Sequence, residues 1–179
     1  MPAKQSQLVL SAIGKDQTGI VDRLTGAIYD LELNISDSRM TVLGGEFAVQ
    51  MLIEGPWNQI AKLENILSEL ESRLGLTIHG KRTDIRTTDT RIRPYAVEVV
   101  ALDHPGIVHH LASFFSQHHI NIEELHTTSY AAAHTGTPMF AVNLQLGVPA
   151  EIQISALRDE FMDFCDNLNL DAVLEPLKN

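Results

Sequence analysis

The chain has 179 residues, enough for one medium domain or two small ones, and its 44% hydrophobic content suits a packed core. Thirteen basic against twenty-three acidic residues give a formal net charge of −10, which argues against a surface built to neutralise nucleic-acid phosphates. The single cysteine, Cys165, excludes an intrachain disulfide and any cysteine-based zinc motif.

Along the chain, MPAKQSQLVL lacks the apolar run of a signal peptide, and no later run is long enough to cross a membrane, so a cytoplasmic protein is expected. QLVLSAIG (7–14) has the length and β-branched content of a strand. A helix follows, with Ile20, Val21, Leu24, Ala27, Ile28 and Leu31 at helical spacing. Asn34-Ile35 opens a second strand, and Gly44-Gly45 suits a tight hairpin into a third. Ile60, Leu63, Leu67, Leu70 and Leu74 form the stripe of a second helix, and LTIHGKRT (76–83) reads as the closing strand. The basic stretch 81–93 also carries Asp84 and Asp89 and reads as solvated linker.

The second half repeats this order. YAVEVVAL (95–102) is a strand; Ile107, Val108, Leu111, Phe114 and Phe115 stripe a helix; Asn121-Ile122 opens the next strand. A longer loop around AAAHTGTPM replaces the Gly-Gly turn. Leu157, Phe161, Phe164, Cys165 and Leu168 stripe the last helix, which makes Cys165 buried filler rather than a nucleophile, and LDAVLEPL (170–177) ends the unit. A shift of 87 residues superposes Asp16, Gly19, Ile20, Val21, Leu24, Asn34, Ile35 and Thr41 on Asp103, Gly106, Ile107, Val108, Leu111, Asn121, Ile122 and Thr128. Chance would match roughly one or two of these, so the chain is a duplicated unit. The order strand, helix, strand, strand, helix, strand is the split βαβ, ferredoxin-like arrangement of the α+β class. Its antiparallel sheet carries both helices on one face, and two copies can cover the other by joining sheets or as a homodimer.

In both halves Asp-x-x-Gly-Ile-Val links the first strand to the first helix. A helix start offers unpaired N–H groups and a partly positive end, so a carboxylate or phosphate docks there, and glycine lets it approach the backbone. Asp16 and Asp103 can cap the helix or pair with an ammonium group. Asn34 and Asn121 follow each helix, where the loop ends of the first two strands are expected to lie near one another. Their amides can serve a ligand or end the helix in left-handed geometry.

Five of the eight histidines fall within 101–122. His109 and His110 point about 100° apart on a helix, and the gap from His110 to His118 is two turns, so neither makes a helical metal pair. A metal site would need His104, His126 and His134 brought together across the fold, the alternative being a metal-responsive sensor. No catalytic triad order, nucleophile elbow, Walker loop or dinucleotide fingerprint appears, so neither an enzyme nor a cofactor is expected.

The duplicated turn in this element order resembles the ACT domain, a regulatory amino-acid-binding module. Asn34-Ile35 with Asp37-Ser38-Arg39, Leu43-Gly44 with Glu46-Phe47, and Trp57-Asn58 are more particular. With them, nearly the whole chain is similar to the tandem-ACT family of repressors of glycine cleavage. That resemblance implies two ACT domains, 1–84 and 94–179, joined by a linker at 85–93. It implies a small amino acid as ligand, glycine foremost, and contact with a LysR-type transcription activator rather than with DNA. The ligand-binding candidates it carries over are Asp16, Thr18, Gly19, Ile20 and Asn34, then Asp103, Gly106, Ile107 and Asn121. In that family the ligand carboxylate would meet helix N–H groups while Asp or backbone carbonyls take the ammonium. The turns differ at Gln17-Thr18 against His104-Pro105, which separates what the two can bind.

Overall fold

The computed structural model describes residues 5–84 and 91–177. It divides into two compact units, Met1–Thr87 and Thr88–Asn179. The first holds β1 (Gln5–Lys15), α1 (Ile20–Asp30), β2 (Asn34–Leu43), β3 (Glu46–Pro56), α2 (Trp57–Leu74) and β4 (Thr77–Thr83). The second holds β5 (Ile92–Leu102), α3 (Ile107–Gln117), β6 (Asn121–Ala131), β7 (Pro138–Pro149), α4 (Ile154–Asn167) and β8 (Asp171–Pro176). The duplicated βαββαβ order is therefore present as expected. Because β5 begins at Ile92, the expected linker is shorter by its last two residues, and 85–90 of it lie outside the described residues.

Each unit is a four-stranded antiparallel sheet, in the orders β2-β3-β1-β4 and β6-β7-β5-β8. Alternation along β1 buries Leu8, Leu10 and Ala12, and its register against β3 sets them beside Ile53, Met51 and Val49 on the same face. The helices close over that face. Leu24 and Ile28 of α1 and Ile60, Leu63 and Leu70 of α2 complete the first core. In the second unit Phe115 and Phe161 are fully buried, 5.2 Å apart between ring centroids, against Val97, Val99, Leu144 and Leu146. No polar or charged residue is buried among the described residues, so both cores are stabilised by apolar burial. Cys165 is among the buried residues, as its place in the stripe requires.

All four helices end alike. After α1 the Leu33 N–H bonds the Ile28 carbonyl, with Glu32 between them at φ 55°. Leu76 on Glu71, Ile120 on Phe115 and Leu170 on Cys165 repeat the bond, through Gly75, His119 and Asn169 in the same left-handed region. This closes the last carbonyls of each helix and tucks an apolar residue beneath it. Leu33, Leu76, Ile120 and Leu170 are all buried. The left-handed position thus falls on Glu32 and His119, two residues before Asn34 and Asn121, so neither Asn ends a helix.

The first hairpin turns through Gly44 and Gly45 at φ 60° and 87°, the two-residue geometry that follows the twist of its strands. The second hairpin closes over residues 132–137.

Candidate functional site

The β1–α1 turn is held from both sides. The Asp16 N–H bonds the Gly45 carbonyl at 3.0 Å, tying the turn to the β2–β3 hairpin. Gly19 is the N-cap of α1 at φ 85°, a conformation that costs an L-residue about 1–2 kcal/mol. Arg23 donates from its backbone N–H and its Nε to the Gly19 carbonyl, at 3.1 and 3.2 Å. The N–H groups of Ile20, Val21 and Asp22, ahead of that first bond, are left for another acceptor. Gly106 repeats this at the start of α3, at φ 101°, with the His110 N–H on its carbonyl at 2.9 Å. Neither helix has a side-chain cap, so Asp16 and Asp103 are not capping residues. Pro105 stands before the N-cap rather than inside the helix.

A hollow of about 300 Å³ opens at the first turn, bordered by Asp16, Gln17, Gly19, Ile20, Val21, Asp22, Met40 and Phe47. It sits at the lower end of the size range of small-ligand clefts, about 300–1,000 Å³. Three expected residues, Asp16, Gly19 and Ile20, line it, and Thr18 lies in the same turn. Four were missed. Val21 and Asp22 were within reach of sequence reasoning, since both belong to the first helical turn beside the glycine. Met40 and Phe47 come from the facing strands, and only the β2–β3 register shows which of their side chains meet the turn. Neither the Asp16 nor the Asp22 carboxylate has a hydrogen-bond or ion-pair partner among the described residues.

Asn34 is not at this place. It pairs with Glu54, which pairs with Gln7 at the far end of β1, whereas Asp16 follows the near end. The helix returns the chain to the bottom of the sheet before β2 begins, so residues after α1 start opposite the turn. Asn121, level with Gly147 and Pro94, is likewise remote from Asp103. Asn34 instead borders a second hollow of about 480 Å³, with Asp22, Thr25, Gly26, Tyr29, Leu33 and Ile35 among its walls.

The second turn has different chemistry. Asp103 accepts from the Ser129 hydroxyl at 3.4 Å, its N–H bonds the Pro138 carbonyl, and the His110 ring lies 3.3 Å from where a Gly106 side chain would start. Ile107 is buried as the first residue of α3. Among the described residues no group of three or more His, Cys, Asp or Glu is placed to hold a metal ion, so the geometry lends the metal-sensor alternative no support.

His118 is instead structural. Its Nδ1 lies 2.8 Å from the Phe114 carbonyl and its Nε2 2.9 Å from Glu160 of α4. The Phe114 carbonyl, then Glu160, raise its pKa above the usual histidine value. Trp57, at the start of α2, is half-exposed beneath the Arg82 guanidinium, 5.1 Å from its ring, and Arg82 pairs with Glu64 at 2.7 and 2.9 Å. That bond holds the Glu64 carboxyl below its usual range.

Two βαββαβ units, each with a glycine-capped turn leading into its first helix, define a tandem ACT protein, and the ACT domain model matches residues 6–81. The chain belongs to the family of the glycine cleavage system transcriptional repressors. It is 31% identical to the Escherichia coli (strain K12) protein of that name over 93% of this chain and 88% of the other. The crystal structure of an unknown protein from Galdieria sulphuraria is 26% identical, covering 98% of this chain and 100% of that one, with a TM-score of 0.81. A crystal structure described as a candidate glycine cleavage system transcriptional repressor gives 0.73 at 27% identity, over 98% and 99%. The family is one of transcriptional regulators.

Proposed function

We propose that the protein is a non-enzymatic regulator that senses a small amino acid, glycine foremost, at the first-module turn and acts by contacting a LysR-type activator. The observation that carries the ligand half is the hollow bordered both by the start of α1, whose first N–H groups lack a side-chain cap, and by two unpartnered carboxylates, Asp16 and Asp22. A zwitterion fits that pairing: its carboxylate meets the helix start and its ammonium an aspartate. The second turn lacks it, because His109 stands where Asp22 does and Pro105 where Thr18 does. The first turn is therefore the sensor, and Asn34 and Asn121 take no part from within their own modules. Action through a protein fits an acidic chain, whose net charge of −10 opposes DNA binding.

Calorimetric titration with glycine, serine and alanine tests this reading. Wild-type protein should bind glycine, and Gly19→Val should lose it while Gly106→Val keeps it. No heat with any amino acid would remove the ligand half. Retention of the activator on immobilised protein, with and without glycine, tests the partner half.

A further inference from the structure

We propose that the groove between α1 and the free edge of β2 captures the protein partner, and that its occupant is an extended segment of that partner. This segment carries alternating apolar side chains and one lysine or arginine. The proposal rests on the reading that the protein acts through a protein partner.

Among the described residues β2 pairs only with β3, so its other edge presents backbone N–H and C=O groups without a strand partner there, a ready template for one more strand. The register against β3 points Met40 and Val42 to the helix side, opposite Val49 and Phe47, yet they are 55% and 45% exposed. Val21 and Tyr29 of α1 are exposed apolar residues too, at 41% and 80%. Isolated exposed apolar residues are ordinary, but Val21 and Met40 border the turn hollow from its two walls, and Tyr29 borders the hollow beside it. The turn hollow and the α1 hollow share Asp22, so they adjoin along the flank of the helix. From Ile35 to Val42 the strand runs about 23 Å at roughly 3.3 Å per residue, too long for an amino acid and suited to an extended peptide. The charge completes the match. Asp16 and Asp22, unpartnered among the described residues, place two negative groups beside apolar walls, Asp16 in the turn hollow and Asp22 where the two hollows meet, which selects a cation on the segment.

The second module supplies the contrast. At the matching positions Asp22 becomes His109, Tyr29 becomes Ser116, Met40 becomes Thr127 and Val42 becomes Ser129. The register confirms the match, since Thr127 pairs with Val142 and Ser129 with Phe140. The second module keeps Val108, Asp103 and an exposed Leu125, but it has no counterpart of Asp22 and bears polar residues in place of Tyr29, Met40 and Val42, so capture belongs to the first module. Asp22 serves both hollows, so an amino acid held at the turn and the partner's cation compete for one carboxylate. Ligand then weakens partner binding by direct overlap, without a change of fold.

The test measures the affinity of the LysR-type activator for full-length wild-type protein, Asp22→Lys, Met40→Lys and Thr127→Lys. Thermal melts confirm folding, light scattering gives the oligomeric state, and hydrogen exchange of the wild type is followed with and without activator. The first two variants should bind at least tenfold more weakly and Thr127→Lys within twofold of wild type. The β2 amides should gain protection, and glycine should lower wild-type affinity. Equal binding by all four proteins, or no added protection in β2, overturns the surface and leaves the regulatory reading standing. Loss of a homodimer in the β2 variants with unchanged activator affinity gives the edge to a second copy and overturns it as well. Wild-type protein that does not bind the activator overturns the partner reading and this surface with it. Glycine that binds without lowering activator affinity overturns the overlap.

Discussion

At the scale of single residues, burial decides chemistry. The Cys165 thiol is pushed up to about 12, first by burial and then by the neighbouring Asp166 charge. A thiol so protonated is a poor nucleophile, and none of its residue's surface is accessible. Ellman's reagent at pH 8 should therefore leave the native protein unlabelled and modify one thiol as urea unfolds the second module; rapid native labelling would contradict this. Cys165→Ser should cost about 1–3 kcal/mol in urea denaturation, because a polar hydroxyl would replace a thiol packed in the apolar core. This residue was legible in advance from its place in an apolar stripe. Asp22 and Met40 were not singled out, since neither breaks a pattern. An aspartate in a first helical turn favours the helix dipole anyway, and a methionine in a strand looks like core.

At the scale of elements, the modules fasten their helices differently. His118 stands where Leu31 does. Glu160 stands where Ile66 does, by the alignment that sets Asn169 and Leu170 on Gly75 and Leu76. Leu31 and Ile66 pack at the margin of the first core, whereas the second module has an ion pair in their place. Both acceptors of the His118 ring, the Phe114 carbonyl and the ionised Glu160, can only accept, so the geometry calls for the doubly protonated ring. The folded pKa is raised above the usual histidine value. The contribution to stability is thus full below the unfolded value and lost as pH rises through the folded one. Urea midpoints of the second-module transition should fall between pH 6 and pH 8.5, and His118→Leu should flatten that component. An unchanged slope in the variant would assign the effect to other groups. The duplication made the elements themselves readable, because helical stripes and strand runs recur in the same order. It did not reveal that the chain reverses along each helix, and so Asn34 was placed at the wrong end of the sheet.

At the scale of the whole molecule, the two hydrophobic clusters draw on separate halves of the chain, one from Leu8 to Leu76 and the other from Tyr95 to Leu174. Each half is within the size range of independent domains. Residues 1–87 and 88–179, expressed separately, should each show a cooperative thermal transition and native-like circular dichroism. Failure of either half to fold would mean that its stability depends on the other. If the first half folds alone it should keep the glycine response, because every residue of the turn hollow lies within it.

The shared ending of the four helices has a consequence for evolution and engineering. A left-handed residue closes each of them, yet only Gly75 is suited to the position without strain. The four helix ends share this backbone shape although the residue that bears it is glutamate, glycine, histidine or asparagine. Glu32 carries an avoidable penalty of about 1–2 kcal/mol, partly offset by the greater freedom glycine would have when unfolded. Glu32→Gly should raise the stability of the first module by about 0.5–1 kcal/mol, read as a higher melting temperature. The helix ends therefore hold a latent tolerance: thermal robustness can be added there before changes in the groove are explored.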